Sequence, residues 1–231
     1  MVSGRLHCDI CAVRDSAACS ALDDSERLEL SRLGHHRGLK RGETLFAAGD
    51  RSEVAATLTR GVLKVSSFDE GGAEHIVSLI HPAGFAGELF EARTHLDIIA
   101  LTDCELCIFS RAEYERAIQR FPDLGRALLQ RASRELTETR TLLAAVTGRS
   151  ATQKVAGLLL AIGRSANQAE CHPAIEFDLV LTRGEIAALL GLTIETVSRQ
   201  LTGLEKDGVI RRKGARGVLV LNAPQLETLA A

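Results

Sequence analysis

The stretch TRGEIAALLGLTIETVSRQLTGLE, residues 182–205, decides how this chain is read. Ile186, Leu189 and Leu190 recur at helical spacing and predict a first helix over Arg183–Leu190 with these side chains turned inward. Gly191 permits a sharp turn, because a residue without Cβ adopts left-handed backbone at little cost. A second helix starts behind Thr193, an N-cap whose hydroxyl can reach the amide of Thr196. Val197, Leu201 and Leu204 form its buried face. Two short helices joined by a glycine-bearing turn are the spacing of a helix-turn-helix. Beyond them, Gly208-Val209-Ile210 and Gly217-Val218-Leu219-Val220 predict a β-hairpin wing around the basic tip RRKGAR (211–216).

On the second helix Glu195, Ser198 and Arg199 share an outward face in the half that would enter a major groove, with Thr193 and Arg183 beside them. Arginine can bond guanine through two N–H groups, glutamate can accept from cytosine N4, and serine reaches several base edges. A solvated face with an ordinary Glu195–Arg199 pair is the plainer alternative. The turn glycine, the small Ala187-Ala188 pair and the basic wing favour DNA. Net charge over the chain is −2, so a basic surface has to be local. It is: Leu181–Val220 holds seven Lys/Arg against four acids.

Upstream, a long helical tract runs from about Phe121-Pro122-Asp123 to Val146. Leu129, Ala132, Leu136, Thr139, Leu143 and Val146 recur at alternating steps of three and four, the seam of a coiled coil. A core helix packed on its own domain is the alternative; the strict period with Arg134, Glu135, Glu138 and Arg140 alongside favours a homodimer. Thr139 is the polar member of that seam. From Gly42 to Phe109 short β-prone runs are punctuated by Gly49-Asp50, Arg60-Gly61, Gly71-Gly72, Pro82 and Gly84, the pattern of a small antiparallel sandwich or barrel. Asp23–Leu33 has helical spacing, with Leu28, Leu30 and Leu33 apolar.

The 231 residues suit two modest domains, and 45% apolar with 25% charged residues is ordinary for a globular protein. No run approaches a membrane span, and the first twenty residues lack the apolar core of a secretory signal, so a cytoplasmic location is expected. In a reducing compartment clustered thiols are metal ligands or redox sensors more often than disulfides. Residues 7–19, HCDICAVRDSAAC, place Cys8, Cys11 and Cys19 together, and Cys104 and Cys107 form a second C-x-x-C. An enzyme using these thiols as nucleophiles would want a base beside them. Only His7 and His172 lie near cysteines in sequence, so no enzyme is expected.

A β-rich N-terminal domain, a long dimer helix and a winged helix-turn-helix together resemble the CRP/FNR family of bacterial transcription regulators, and the resemblance covers essentially the whole chain. It implies an α+β fold: an N-terminal antiparallel β-roll of the cyclic-nucleotide-binding type, a long dimerisation helix and a C-terminal winged helix-turn-helix. The expected division is a cysteine segment over 1–22, the β-roll over 23–120, the dimerisation helix over 121–149 and the DNA-binding domain over 150–231. TRGEIAALLGLTIETVSRQL is close to the FNR branch, whose E-x-x-S-R triplet falls on Glu195, Ser198 and Arg199. That implies readout of a twofold-symmetric double-stranded site with TTGAT-type half-sites, and RNA polymerase as a further partner.

Cyclic-nucleotide sensors of the family follow Gly-Glu-Leu with an Arg-Ser pair that holds the cyclic phosphate. Here Gly87-Glu88-Leu89 is followed only by Arg93-Thr94-His95, and no cyclic nucleotide is expected. Oxygen-sensing members instead carry an N-terminal cysteine cluster and one distant cysteine. C-x2-C-x7-C at Cys8, Cys11 and Cys19 resembles that cluster in its longer-spaced variant, and Cys107 falls where the branch places its fourth ligand, without the Pro-Phe that often follows. The resemblance therefore implies an oxygen-labile 4Fe–4S cluster on Cys8, Cys11, Cys19 and Cys107. Side chains alternate along a strand, so Cys104, Leu106 and Ile108 would face the β-domain core and Cys107 the other way. Zinc takes four thiolates equally well, and spacing alone does not separate it from a cluster. Cys171, in a polar loop, reads as incidental.

Overall fold

A computed structural model describes residues 6–146, 149–166, 176–214 and 216–231. Contacts divide the chain into two units, Met1–Thr139 and Arg140–Ala231.

In the first unit a short 3-10 turn at Ala18–Ala21 leads to α1 (Asp24–Arg32), which opens on a capping box: Asp23 accepts from the Glu26 amide and Glu26 reaches back to the Asp23 amide. Of the apolar trio in this helix only Leu30 is buried; Leu28 and Leu33 face out, since just one side of α1 meets the β-domain. Eight strands follow: β1 (Gly34–Leu39), β2 (Thr44–Phe46), β3 (Val54–Arg60), β4 (Leu63–Phe68), β5 (Glu74–Ile80), β6 (Phe85–Ala86), β7 (Asp97–Ala100) and β8 (Cys104–Ser110). They form two antiparallel sheets, ordered β1-β8-β3-β6 and β2-β7-β4-β5. One core fills the space between them, with Leu58, Leu106 and Ile108 from the first sheet against Leu63, Ile80 and Ile98 from the second. Gly61, at φ +92°, turns β3 into β4 where any Cβ would meet the Asp103 carbonyl oxygen and the Cys104 sulfur.

The expected β-roll is therefore present, and so is the expected alternation in β8. Cys104, Leu106 and Ile108 lie in the core between the sheets, while Cys107 and Phe109 face a second apolar cluster on the outer side of the first sheet. That cluster is completed by Leu6, Leu22 and Leu30, and by Tyr114, Ala117 and Phe121 of α2 (Arg111–Arg120) and its C-cap. Tyr114 stacks on Phe85 and tilts against Phe109, with ring centres 5.7 and 5.0 Å away. Helix α3 (Pro122–Val146) follows, with Leu124 fully buried against the same cluster.

The second unit contains α4 (Ala151–Ala166), β9 (Glu176–Asp178), α5 (Arg183–Leu190), α6 (Ile194–Lys206), β10 (Ile210–Lys213), β11 (Gly217–Val220) and α7 (Ala223–Ala230). Both helices of the 182–205 stretch begin where the capping residues predict. Thr182 and Glu185 close a capping box on α5, and Thr193 accepts from the Thr196 amide on α6. Gly191 sits between them at φ +61°, and Ile186, Leu189, Leu190, Val197, Leu201 and Leu204 are all buried. The wing hairpin β10–β11 gains a third strand, β9, in the order β10-β11-β9. Cys171 and His172 lie outside the described residues.

Candidate thiol centre and DNA-binding face

The N-terminal segment lies across the outer face of β8. Leu6, Ala18 and Leu22 anchor it in the cluster that contains Cys107, with Cys8 and Cys19 packed at its edge. A neighbouring patch of Val13, Ala17 and Ala83 holds the middle of the segment beside Cys11 and Cys19. One cavity is consequently lined by Cys8, Cys11, Cys19 and Cys107, together with Arg14, Arg27, Thr57 and Tyr114. Its free space is about 30 Å³, room for about one or two waters. Cys104 is on the other side of the sheet, where its thiol donates to the Val62 and Thr102 carbonyls.

Electrostatics reflect the same gathering. Burial lifts the Cys107 thiol to about 12, and Cys11, Cys8 and Cys19 each add to the rise. Cys19 is pushed to about 11 by burial and then by Cys8 and Cys11, with Arg27 acting the other way. Cys8 is raised too, by burial and then Cys11, again opposed by Arg27 and Arg14. Burial raises a thiol by disfavouring its charged form. Among the described residues no three His, Cys, Asp or Glu side chains converge on a single ion as they stand. The donor set itself, four thiols lining one cavity with Cys107 buried and the other three half-buried, fits the ligand count of a cluster.

Arginines frame this centre, and sequence reasoning passed over them. Arg27 donates from Nε to the Cys19 carbonyl (3.3 Å), from Nη2 to the Leu22 carbonyl (2.7 Å) and from Nη1 to Asp24 Oδ1 (2.9 Å). Arg14 donates to the same Asp24 oxygen at 2.8 Å. On the opposite flank Arg131 of α3 donates to the Ser16 carbonyl. An arginine in the otherwise acidic start of α1 was the visible signal.

A separate cavity of about 570 Å³ in the first unit is lined by Phe46, Ile80, Phe85 and Ile98, with Glu88, His95 and Arg131 among its polar residues. Glu88 accepts from the His95 amide at 2.7 Å and pairs with its ring Nδ1. Arg93 points elsewhere, donating to the Gly49 carbonyl at 2.6 Å.

The seam of α3 is open to solvent where it is described: Leu129 is 72% and Leu136 50% exposed, Ala132 is exposed and Thr139 half-buried. The side chains of Leu143 and Val146 lie outside the described residues. Apolar side chains at this spacing, standing in water, are a surface awaiting a partner.

On α6, Glu195 and Arg199 are exposed and Ser198 is half-buried. Arg183, exposed at the start of α5, donates to Ser198 Oγ at 3.4 Å, while Arg199 donates to Thr196 Oγ1 at the same distance. The Glu195 carboxylate is held below its usual range by its own backbone amide at the helix N-terminus and by Thr193. Thr193, exposed, serves as the cap. Behind this face Glu205 takes three bonds from Arg212, through its amide, Nε and Nη2, bracing the wing to the recognition helix. Lys213 pairs with Glu176 on β9.

A β-roll joined to a winged helix-turn-helix defines a class of DNA-binding regulator with a separate sensory domain. Residues 36–121 match the family model described as a cyclic nucleotide-binding domain, and residues 153–229 match a Crp-like helix-turn-helix domain. The chain is 33% identical to the transcriptional activator protein FnrL of Cereibacter sphaeroides, over 95% of this chain and 90% of that protein. It is 34% identical to the nitrogen fixation regulation protein FixK of Bradyrhizobium diazoefficiens, over 97% and 94%. A probable transcriptional activator of Rhizobium leguminosarum bv. viciae is 37% identical over 96% and 92%. Among solved structures, FixK2 from Bradyrhizobium japonicum superposes with a TM-score of 0.76 at 23% identity, covering 86% of this chain and 98% of that one. The chain belongs to the CRP/FNR family of transcription regulators, proteins that bind DNA through this helix-turn-helix. No described helix is long and apolar enough to cross a membrane.

Proposed function

We propose that this chain is an FNR-type regulator, a cytoplasmic homodimer whose binding to TTGAT-type half-sites is controlled by an oxygen-labile 4Fe–4S cluster on Cys8, Cys11, Cys19 and Cys107. The observation that carries the reading is the convergence of these four thiols, and not Cys104, on one cavity. Bound there, a cluster supplies a cross-link between the N-terminal segment and β8 that oxygen removes.

Everything else falls to the chain. With the segment tied down, residues 8–19 and α3 share one packed surface, and the Leu129–Leu136 seam closes on a second copy. Two recognition helices then meet half-sites about one helical turn apart. Arg199 reads guanine, Glu195 and Ser198 neighbouring edges, and Arg211 and Arg216 on the wing lie near phosphates. RNA polymerase is the partner through which DNA occupancy acts. The reading includes no cyclic nucleotide: no Arg-Ser pair follows Gly87-Glu88-Leu89 within the β-domain, and Arg93 donates to the Gly49 carbonyl. A coupling of about 1–3 kcal/mol between segment and seam changes DNA occupancy about 5- to 150-fold.

The test is the absorption spectrum of protein purified without oxygen and then exposed to air, with DNA binding followed in parallel. A visible charge-transfer band that bleaches as binding is lost supports the reading. Zinc without inorganic sulfide, and binding indifferent to air, assigns the thiols to a structural clamp instead.

A further inference from the structure

We propose that Arg27 is a positioning residue of the thiol centre, holding the end of the Cys8–Cys19 segment and offsetting the negative charge of four bound thiolates. The inference rests on the cluster reading of these thiols. Three features carry it. First, the Arg27 side chain is only 11% exposed, although it sits near the chain's surface on α1. A buried guanidinium is costly unless anions and acceptors compensate it. Second, its acceptors are the carbonyls of Cys19 and Leu22, so the guanidinium clasps the point where the segment returns into α1.

Third, two guanidiniums stand at the cavity wall. Arg27 and Arg14 share one carboxylate oxygen of Asp24, and Asp24 itself is 85% exposed. Both guanidiniums line the cavity, and each opposes the rise of the Cys8 thiol. Asp9, near Cys8, acts in the opposite sense on that thiol but lies on the segment's exposed side. Cations at that wall favour four thiolates over four neutral thiols, and a bound metal group would only partly neutralise the thiolate charge.

Oxidation of such a centre sends one electron to dioxygen and leaves the centre less anionic. A neighbouring cation therefore stabilises the reduced state more and slows the loss; net charge is one of the levers on cluster potential. Full-length wild type, Arg27→Gln, Arg27→Lys and Arg14→Gln are purified without oxygen, iron and sulfide per chain are measured, and visible absorbance is followed after air is admitted. Arg27→Gln is expected to load and to bleach on the order of tenfold faster, the effect of a unit charge at partly screened range. Arg27→Lys keeps the charge and stays near the wild-type rate.

Wild-type bleaching by a fully loaded Arg27→Gln protein, or Arg27→Lys bleaching as fast as Arg27→Gln, overturns the charge role. Should Arg27→Gln fail to assemble, Arg14→Gln decides: faster bleaching supports the proposal and an unchanged rate overturns it. A colourless wild type is a different result, because it removes the cluster reading itself.

Discussion

Arg131, on the helix that carries the seam, donates a hydrogen bond of 3.0 Å to the backbone carbonyl of Ser16, in the middle of the cysteine segment. These residues are 115 positions apart in sequence, and the bond joins the sensory segment directly to the turn of α3 that presents Ala132.

Replacing Arg131 by alanine is therefore expected to separate sensing from assembly. A net hydrogen bond contributes about 0.5–1.5 kcal/mol, so the anaerobic dimer weakens by about 2- to 13-fold while iron and sulfide content stay at wild-type levels. Sedimentation equilibrium without oxygen checks it; an unchanged dissociation constant would show that the bond transmits nothing.

Cys107→Ser and Cys104→Ala should diverge. The first removes a thiol from the cavity and abolishes both the visible band and anaerobic DNA binding. The second leaves the band and the binding intact, because Cys104 faces the core between the sheets. It loses two weak thiol bonds and leaves a small void, costing about 1 kcal/mol, readable as a lowered urea midpoint.

Leu136→Glu places a carboxylate on the exposed seam of α3. Burial of a leucine contributes about 1.5–3 kcal/mol, and twofold symmetry counts each change twice, so this variant is expected to be monomeric at micromolar concentration. Thr139→Leu should act oppositely and tighten the dimer, leaving a species that resists dissociation in air. Light scattering on both variants decides the matter.

On DNA, Arg199→Ala should cost about 1–3 kcal/mol per half-site and relax the preference at one base pair. Arg211→Ala should weaken binding to all sequences alike and lower the salt slope by about 1 for each phosphate left without its cation. Titrations of matched and single-mismatch duplexes at several salt concentrations separate the two behaviours.

The 182–205 stretch was legible because local signals agree there: Thr193 and Gly191 each do in the structure what their chemistry predicts. Strand parity was equally legible, and Cys104 and Cys107 part to opposite faces of β8. What sequence could not supply was the meeting of distant elements. Nothing in the order of residues announces that Leu6, Tyr114 and Phe121 close one cluster over Cys107, or that β9 completes the wing sheet. Leu33 shows the limit of periodicity: helical spacing places it one turn from the buried Leu30, yet it is exposed, while Leu28, two residues from Leu30, lies on the opposite side of the helix.

Because β8 separates Cys104 from the outer cavity, the protein carries two independent clocks for its own opening. An alkylating reagent reaches Cys107, buried beneath residues 8–19, whenever that segment lifts, a local event with a modest free energy. It reaches Cys104, buried in the core between the sheets, through opening of the β-domain itself. The ratio of the two labelling rates reads local release against global stability within a single molecule, and a variant that loosens the segment will change the first rate while leaving the second where it was.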